Sequence, residues 1–299
     1  MTSVRTYFND LSRALGESWN QFWFCETSAR TLGAVRIAVG VLAFYAIASY
    51  WPDLHRWFDP DGMMPREMIR ELYEGQWSAL DYLSSSALPI AFAATLAVIG
   101  LFAAGIGGRV VAVAATAGTI SFFSRAPLVT GEFEAVLSFL MVYLCVGDCG
   151  DAYSLRRWLR PSLAARAPTS SALNGVALRL IQLHIALVHL MLGLAQLAVA
   201  DGPWWSGEGM WLAASRPGAS LVDLSWLADH PRLVAAWSHA FVAYLLAMPV
   251  FIWKPLARPL LLAAGALLWI LFGVASGWVM FALAMLAGLA AFVDWQRER

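Results

Sequence analysis

Between Arg179 and Trp211 the chain reads RLIQLHIALVHLMLGLAQLAVADGPWWSGEGMW. The stretch is long enough to cross a bilayer, yet it carries polar side chains that hydrocarbon does not tolerate. In lipid every backbone N–H and C=O must be paired within the protein, so a segment of this kind is a helix. Arg179, Gln182, His189, Gly193 and Gln196 are spaced by three, seven, four and three residues, which on a helix lines them up on one face. Leu180, Leu183, Leu187, Leu190, Leu194 and Leu197 surround that stripe. A His or Gln turned to acyl chains costs free energy, so the stripe must face other helices or a cavity, and an intramembrane ionisable residue marks a candidate site. The alternative is interhelical hydrogen bonding, worth about 0.6–2 kcal/mol per contact.

The rest of the chain agrees with a membrane setting. Hydrophobic residues make up 60% and charged residues 13%, with a mean hydropathy of +0.63, against about 25% charged in soluble domains. Apolar runs recur at 31–50, 87–106, 110–123, 133–146, 176–200, 233–253, 256–272 and 277–293. The expected fold is therefore all-α, a polytopic bundle of about eight transmembrane helices. Residues 1–30 form a separate N-terminal segment in which Phe8, Leu11, Leu15, Trp19 and Phe22 recur at helical spacing between Arg5, Asp10, Arg13 and Glu17. That pattern predicts an amphipathic helix lying on the membrane surface. No cleavable leader is expected, because the first thirty residues lack a short apolar core. Residues 31–299 form one transmembrane domain. Arg36 lies inside the first run, either snorkelling to the interface or pairing with a carboxylate.

Lys and Arg in the connections set orientation. Twelve lie in the N-terminal segment, the even-numbered connections and the tail (Arg5, Arg13, Arg30, Arg109, Arg156, Arg157, Arg160, Arg166, Lys254, Arg258, Arg297, Arg299); six lie on the other side (Arg56, Arg66, Arg70, Arg125, Arg216, Arg232). Both termini are then cytoplasmic, in the cell membrane, and the loops 51–86 and 201–232 lie outside.

The runs 110–123 and 133–146 are short, covering roughly 21 Å of an apolar core of about 30 Å. The turn between them, with Arg125 and Glu132, should stop below the outer surface, whether the two runs cross fully or form a re-entrant hairpin. Gln196 lies about 6 Å and His189 about 16 Å below the outer end of their helix. These residues predict an outward-facing polar pit formed by Arg125, Glu132, His189 and Gln196, roofed by Trp204, Trp205 and Trp211. Arg179, Gln182 and Gly193 serve as the structural part of the stripe.

Several separate pieces resemble one family: Arg36 in the first run, DPDGMMP at 59–65, Arg125 with Gly131 and Glu132, DAYSLRRWL at 151–159, and Gln182 through Gly193-x-x-Gln196-Leu197 to Trp205-x-Gly207. In this order and spacing the chain resembles the HTTM (horizontally transferred transmembrane) domain family, which includes the vitamin K-dependent gamma-carboxylases, and specifically a short bacterial-type member. The resemblance implies a lysine base for deprotonating a hydroquinone at the position held here by Gln196. An amide cannot take that proton, and Lys254 is at the inner end of its run, so gamma-carboxylation is not expected. Two readings stay open. In one, the pit binds a quinone- or hydroquinone-like or lipid-like molecule, with His189 as proton acceptor and Arg125 with Glu132 orienting the head. In the other, the protein is a noncatalytic membrane partner for the maturation or export of a small peptide or protein.

Other chemistry finds little footing. His184 and His189 diverge by about 140° around a helix, so no metal site is expected. Glu132 should cap its helix, with Glu134 pairing with an arginine. Cys25, Cys145 and Cys149 make no disulfide framework. The net charge is zero; membrane lipid is the expected surrounding, and no nucleic-acid partner is.

Overall fold

The structure, a computed structural model, describes residues 2–73, 75–160, 162, 166–215 and 221–295. Arg216, Arg297 and Arg299 of the charge count lie outside the described residues. All eight apolar runs are helical. Following α1 (Thr2–Phe24), they are α2 (Arg30–Ala48), α3 (Leu88–Ala103), α4 (Gly108–Arg125), α5 (Glu132–Leu144), α6 (Ala172–Leu197), α7 (Pro231–Phe251), α8 (Arg258–Ser276) and α9 (Val279–Leu289). The described strands are two short ones, Thr27–Ser28 and Ser170–Ser171, paired antiparallel. They tie the start of α2 to the start of α6.

Among the described residues, four helical segments are long and apolar enough to cross a membrane: Arg30–Phe58, Ala172–Leu197, Pro231–Phe251 and Arg258–Ser276. Their outward faces remain apolar; Val41, Leu187, Val250 and Leu267 are all more than half exposed. A water-soluble domain would not leave such a surface open. The helices α3 and α9 are apolar but shorter. The last run, expected to continue to Val293, holds only eleven α-helical residues before a short 3₁₀ turn.

Local chemistry sets the ends. The Ser171 hydroxyl accepts from the Asn174 N–H at 3.2 Å and caps α6. Pro231 and Pro259 sit in the first turns of α7 and α8, where their missing N–H groups cost nothing. Gly277, at φ 74°, ends α8 in the left-handed conformation, so α9 folds back on it. Glu134, not Glu132, completes the cap of α5: its Oε2 accepts from the Gly131 N–H at 2.8 Å, whereas Glu132 is exposed. The expected pairing of Glu134 with an arginine is thus replaced by a capping box, because a carboxylate three residues into a helix reaches back to the free N–H before it.

The short helices α5 and α9 lie at the centre, packed on each other and both on α2 and α6. On one side α2, α3 and α4 pack in sequence; on the other α6 and α8 flank α7. The α6–α7 contact is close because Gly193 carries no side chain: a Cβ there would come within 2.8 Å of Leu246 and 3.2 Å of Leu245.

Two buried arginines fasten the two ends. Arg36 is fully buried, and its guanidinium donates to the carbonyl oxygens of Cys149, Ala152 (3.0 Å) and Tyr153 (2.8 Å). It neither snorkels nor meets a carboxylate, since the turn after α5 brings three carbonyls to the charge. At the other end Arg125 is 1% exposed. It donates to Met64 O and Asp59 O, both at 2.9 Å, and pairs with Asp81 at 3.4 Å.

Helix α1 packs against α6 through its C-terminal turn: Arg179 donates to Phe22 O at 3.2 Å and its guanidinium sits 4.7 Å over the Phe22 ring. The face bearing Tyr7, Phe8, Leu15 and Trp19 is not covered by protein.

Candidate functional site

The C-terminal turn of α6 delivers Gln196 to a cavity of about 330 Å³. The chain then leaves the helix through Asp201, at φ 57°, and Gly202 into the short helices Pro203–Ser206 and Gly209–Ala214. These place Trp204 and Ala213 over the cavity. Phe241 of α7, Trp269, Phe272 and Ser276 of α8, and Trp278 and Phe281 at the start of α9 supply the remaining wall.

The aromatic rings hold one another in place. Phe241 stacks on Phe272 (5.1 Å between centroids, 5° between planes) and on Trp204 (6.3 Å, 29°). Trp269 meets Phe241, Phe272 and Phe281 edge-on at 5.3–5.6 Å. Such edge-to-face sets fix rings beyond what area burial achieves. Ser276 spends its hydroxyl on Phe272 O at 2.7 Å. The Oε1 of Gln196 is buried and accepts no hydrogen bond. An unpaired buried amide oxygen costs free energy, and Gln196 is the one amide side chain that lines this cavity.

The residues expected to share one pit are distributed over several places. Gln196 lines the cavity. His189 lies one layer behind, fully buried; its Nδ1 donates to Ile185 O at 2.8 Å and its Nε2 accepts from the Trp269 indole at 3.1 Å. Both ring nitrogens are thus engaged by protein, and the ring fixes Trp269 from behind. Arg125 is committed to the 51–86 loop and does not line the cavity, and Glu132 is exposed at the head of α5. Trp205 faces outward, its indole donating to Leu197 O at 3.1 Å and its carbonyl accepting from His239 at 3.2 Å. The pit does not form as one because the charged turn before α5 is held by the first loop, not by α6.

The structural stripe is internally paired. Arg179 donates to Gln182 Oε1 at 2.8 Å, and Gln182 donates to Ala291 O at 2.8 Å. His184 lies off the stripe: it stacks on Phe139 at 3.8 Å and bonds Tyr143 Oη at 2.8 Å. Among the described residues no three His, Cys, Asp or Glu side chains gather as a metal site.

The aromatic wall was missed from sequence, although a signal exists. Gly265, Trp269, Phe272 and Ser276 recur at four, three and four residues along α8, one face of a helix. An apolar run gives no hint of which face turns inward, and aromatic residues in such runs are as often ordinary packing.

No protein-family model, no curated protein and no solved structure matches this chain.

Proposed function

We propose that this chain is a multi-pass protein of the cell membrane that binds a flat amphipathic molecule, quinone-like or lipid-like, in the aromatic cavity, with Gln196 as its polar anchor. The observation that carries this reading is a cavity of about 330 Å³ walled mainly by aromatic rings and lined by Gln196, whose amide oxygen has no hydrogen-bond partner. Small-molecule sites have this make-up: apolar walls with a few placed polar groups. His189 acts here by orienting Trp269, and no reaction is assigned, since an amide is not a base.

In this proposal all eight helices α2–α9 cross the membrane and α1 lies on its cytoplasmic face. The α5 and α9 helices, roughly 20 Å long or less, are too short for lipid contact along a full span, but each is surrounded by other helices, where a short element is tolerated. The charge bias of twelve to six supports cytoplasmic termini. Membership of the HTTM-like family is part of the proposal. It is supported by the way the resembling segments pair: Arg36 holds the 149–153 turn entering DAYSLRRWL, and Arg125 holds DPDGMMP through Asp59 and Met64.

The test is mass spectrometry of small molecules co-purifying with the wild type and with Ala213→Trp, which fills the cavity, and Gln196→Leu. The wild type should retain a quinone or lipid that both variants lose by at least tenfold. A wild type that carries no small molecule, and whose Tm no short-chain quinone or lipid raises, would replace this reading with that of a membrane partner for a peptide or protein.

A further inference from the structure

The α3–α4 connection and the turn after α5 enclose a second cavity, of about 310 Å³, at the opposite end of the bundle from Gln196. Its wall is glycine backbone, at Gly105, Gly108, Gly147 and Gly150, and its rim carries Arg109, Arg156 and Arg157. Two carboxylates also line it, and both are engaged. Asp148 pairs with Arg109 at 3.1 Å. Asp151 accepts from the Thr169 N–H and hydroxyl at 2.6 and 3.0 Å and lies 3.5 Å from Arg157.

Positive charge is in excess here. The Nη2 of Arg157 is buried without a hydrogen-bond partner. Directly behind the glycine wall stands Arg36, whose guanidinium meets carbonyl oxygens only; a Cβ at Gly105 would come within 2.7 Å of its Nη1. Four guanidinium groups thus stand against two carboxylates.

The cavity adjoins an apolar groove of about 540 Å³, and Ser154 and Arg157 line both. The groove runs along Ile37, Ala103, Tyr153, Leu155 and Trp158. The short helix Leu155–Leu159 leaves Leu155, Trp158 and Leu159 exposed, the pattern of an element resting at headgroup depth.

We propose that the paired cavities bind an anionic phospholipid, its phosphate among Arg109, Arg156 and Arg157 and an acyl chain along the Ile37–Trp158 groove. Guanidinium groups are the donors that phosphate takes. The adjoining groove favours a lipid over free phosphate, because a free anion has no use for it. This site is separate from the aromatic cavity and does not depend on what binds there.

The full chain, purified in zwitterionic detergent, is titrated with phosphatidylglycerol, phosphatidylcholine and inorganic phosphate, with native mass spectrometry and Tm as readouts. Phosphatidylglycerol should bind at least tenfold more tightly than phosphatidylcholine, and inorganic phosphate at the same concentration should leave Tm unchanged. Arg109→Gln with Arg156→Gln, at two exposed positions, should remove the preference; the corresponding pair of Lys substitutions should retain it. Trp158→Ser should weaken phosphatidylglycerol binding, while Ala213→Trp in the aromatic cavity should leave it unchanged. Equal binding of the two lipids, a shift by inorganic phosphate equal to that by phosphatidylglycerol, or an unaltered preference in the folded double Gln variant would each overturn the proposal.

Discussion

The indole N–H of Trp269 donates to Nε2 of His189 across 3.1 Å, and the two rings meet at 87°. The most conspicuous ionisable residue of α6 is therefore the acceptor that holds an aromatic wall in position. Removing the imidazole leaves a buried indole donor unpaired. His189→Leu should destabilise the protein by about 1–3 kcal/mol. Combining it with Trp269→Phe should cost less than the sum of the two single changes, because both partners of one hydrogen bond are then gone. Denaturant unfolding of the four proteins in bicelles measures this, and strictly additive costs would mean that the bond contributes nothing.

Arg36 joins α2 to the turn after α5 through carbonyl oxygens alone. Hydrogen bonds to a charged group are worth about 1.5–3 kcal/mol each. Arg36→Met, which keeps most of the volume, should lower stability by about 3 kcal/mol or more. Gly105→Ala should also destabilise, for two reasons: φ is 72° there, and the added methyl would lie 2.6 Å from Ser154 Cβ. A Tm unchanged in either variant would show that the turn is not held this way.

The carboxyl of Asp59, in the first loop, titrates below its ordinary value of 3.8. The hydrogen bond from the Ser85 hydroxyl is the main cause; burial opposes it, and His55 and the Asp61 N–H add to it. A pKa depressed on folding stabilises the protein above the unfolded pKa, and that contribution fades as pH falls through the folded one. The wild type should therefore exceed Asp59→Asn in Tm at pH 5–7, and the gap should close as pH falls below about 3.8. A gap that stays constant down to pH 2 would exclude this linkage.

The positions of α2–α9 were legible from apolar runs, because a chain in lipid has only the helix with which to satisfy its backbone, and α1 from its amphipathic spacing. The stripe from Arg179 to Gln196 was equally legible, since spacing alone puts those side chains on one face. Helix lengths were less so: Gly277 ends α8, and α9 stops after eleven α-helical residues where the apolar run continues. Apolar composition carries no stop signal of its own.

What spacing could not assign was the partner of each polar group. Arg36 is satisfied by a turn more than a hundred residues away, Arg125 by a loop some sixty residues before it, and His189 by an indole eighty residues after it. The sequence by itself determined that these groups need partners, because hydrocarbon supplies none. Only the tertiary structure decided that His189 and Arg125 find theirs within the protein while Gln196 Oε1 does not, because which helix faces which is set by packing across the whole bundle.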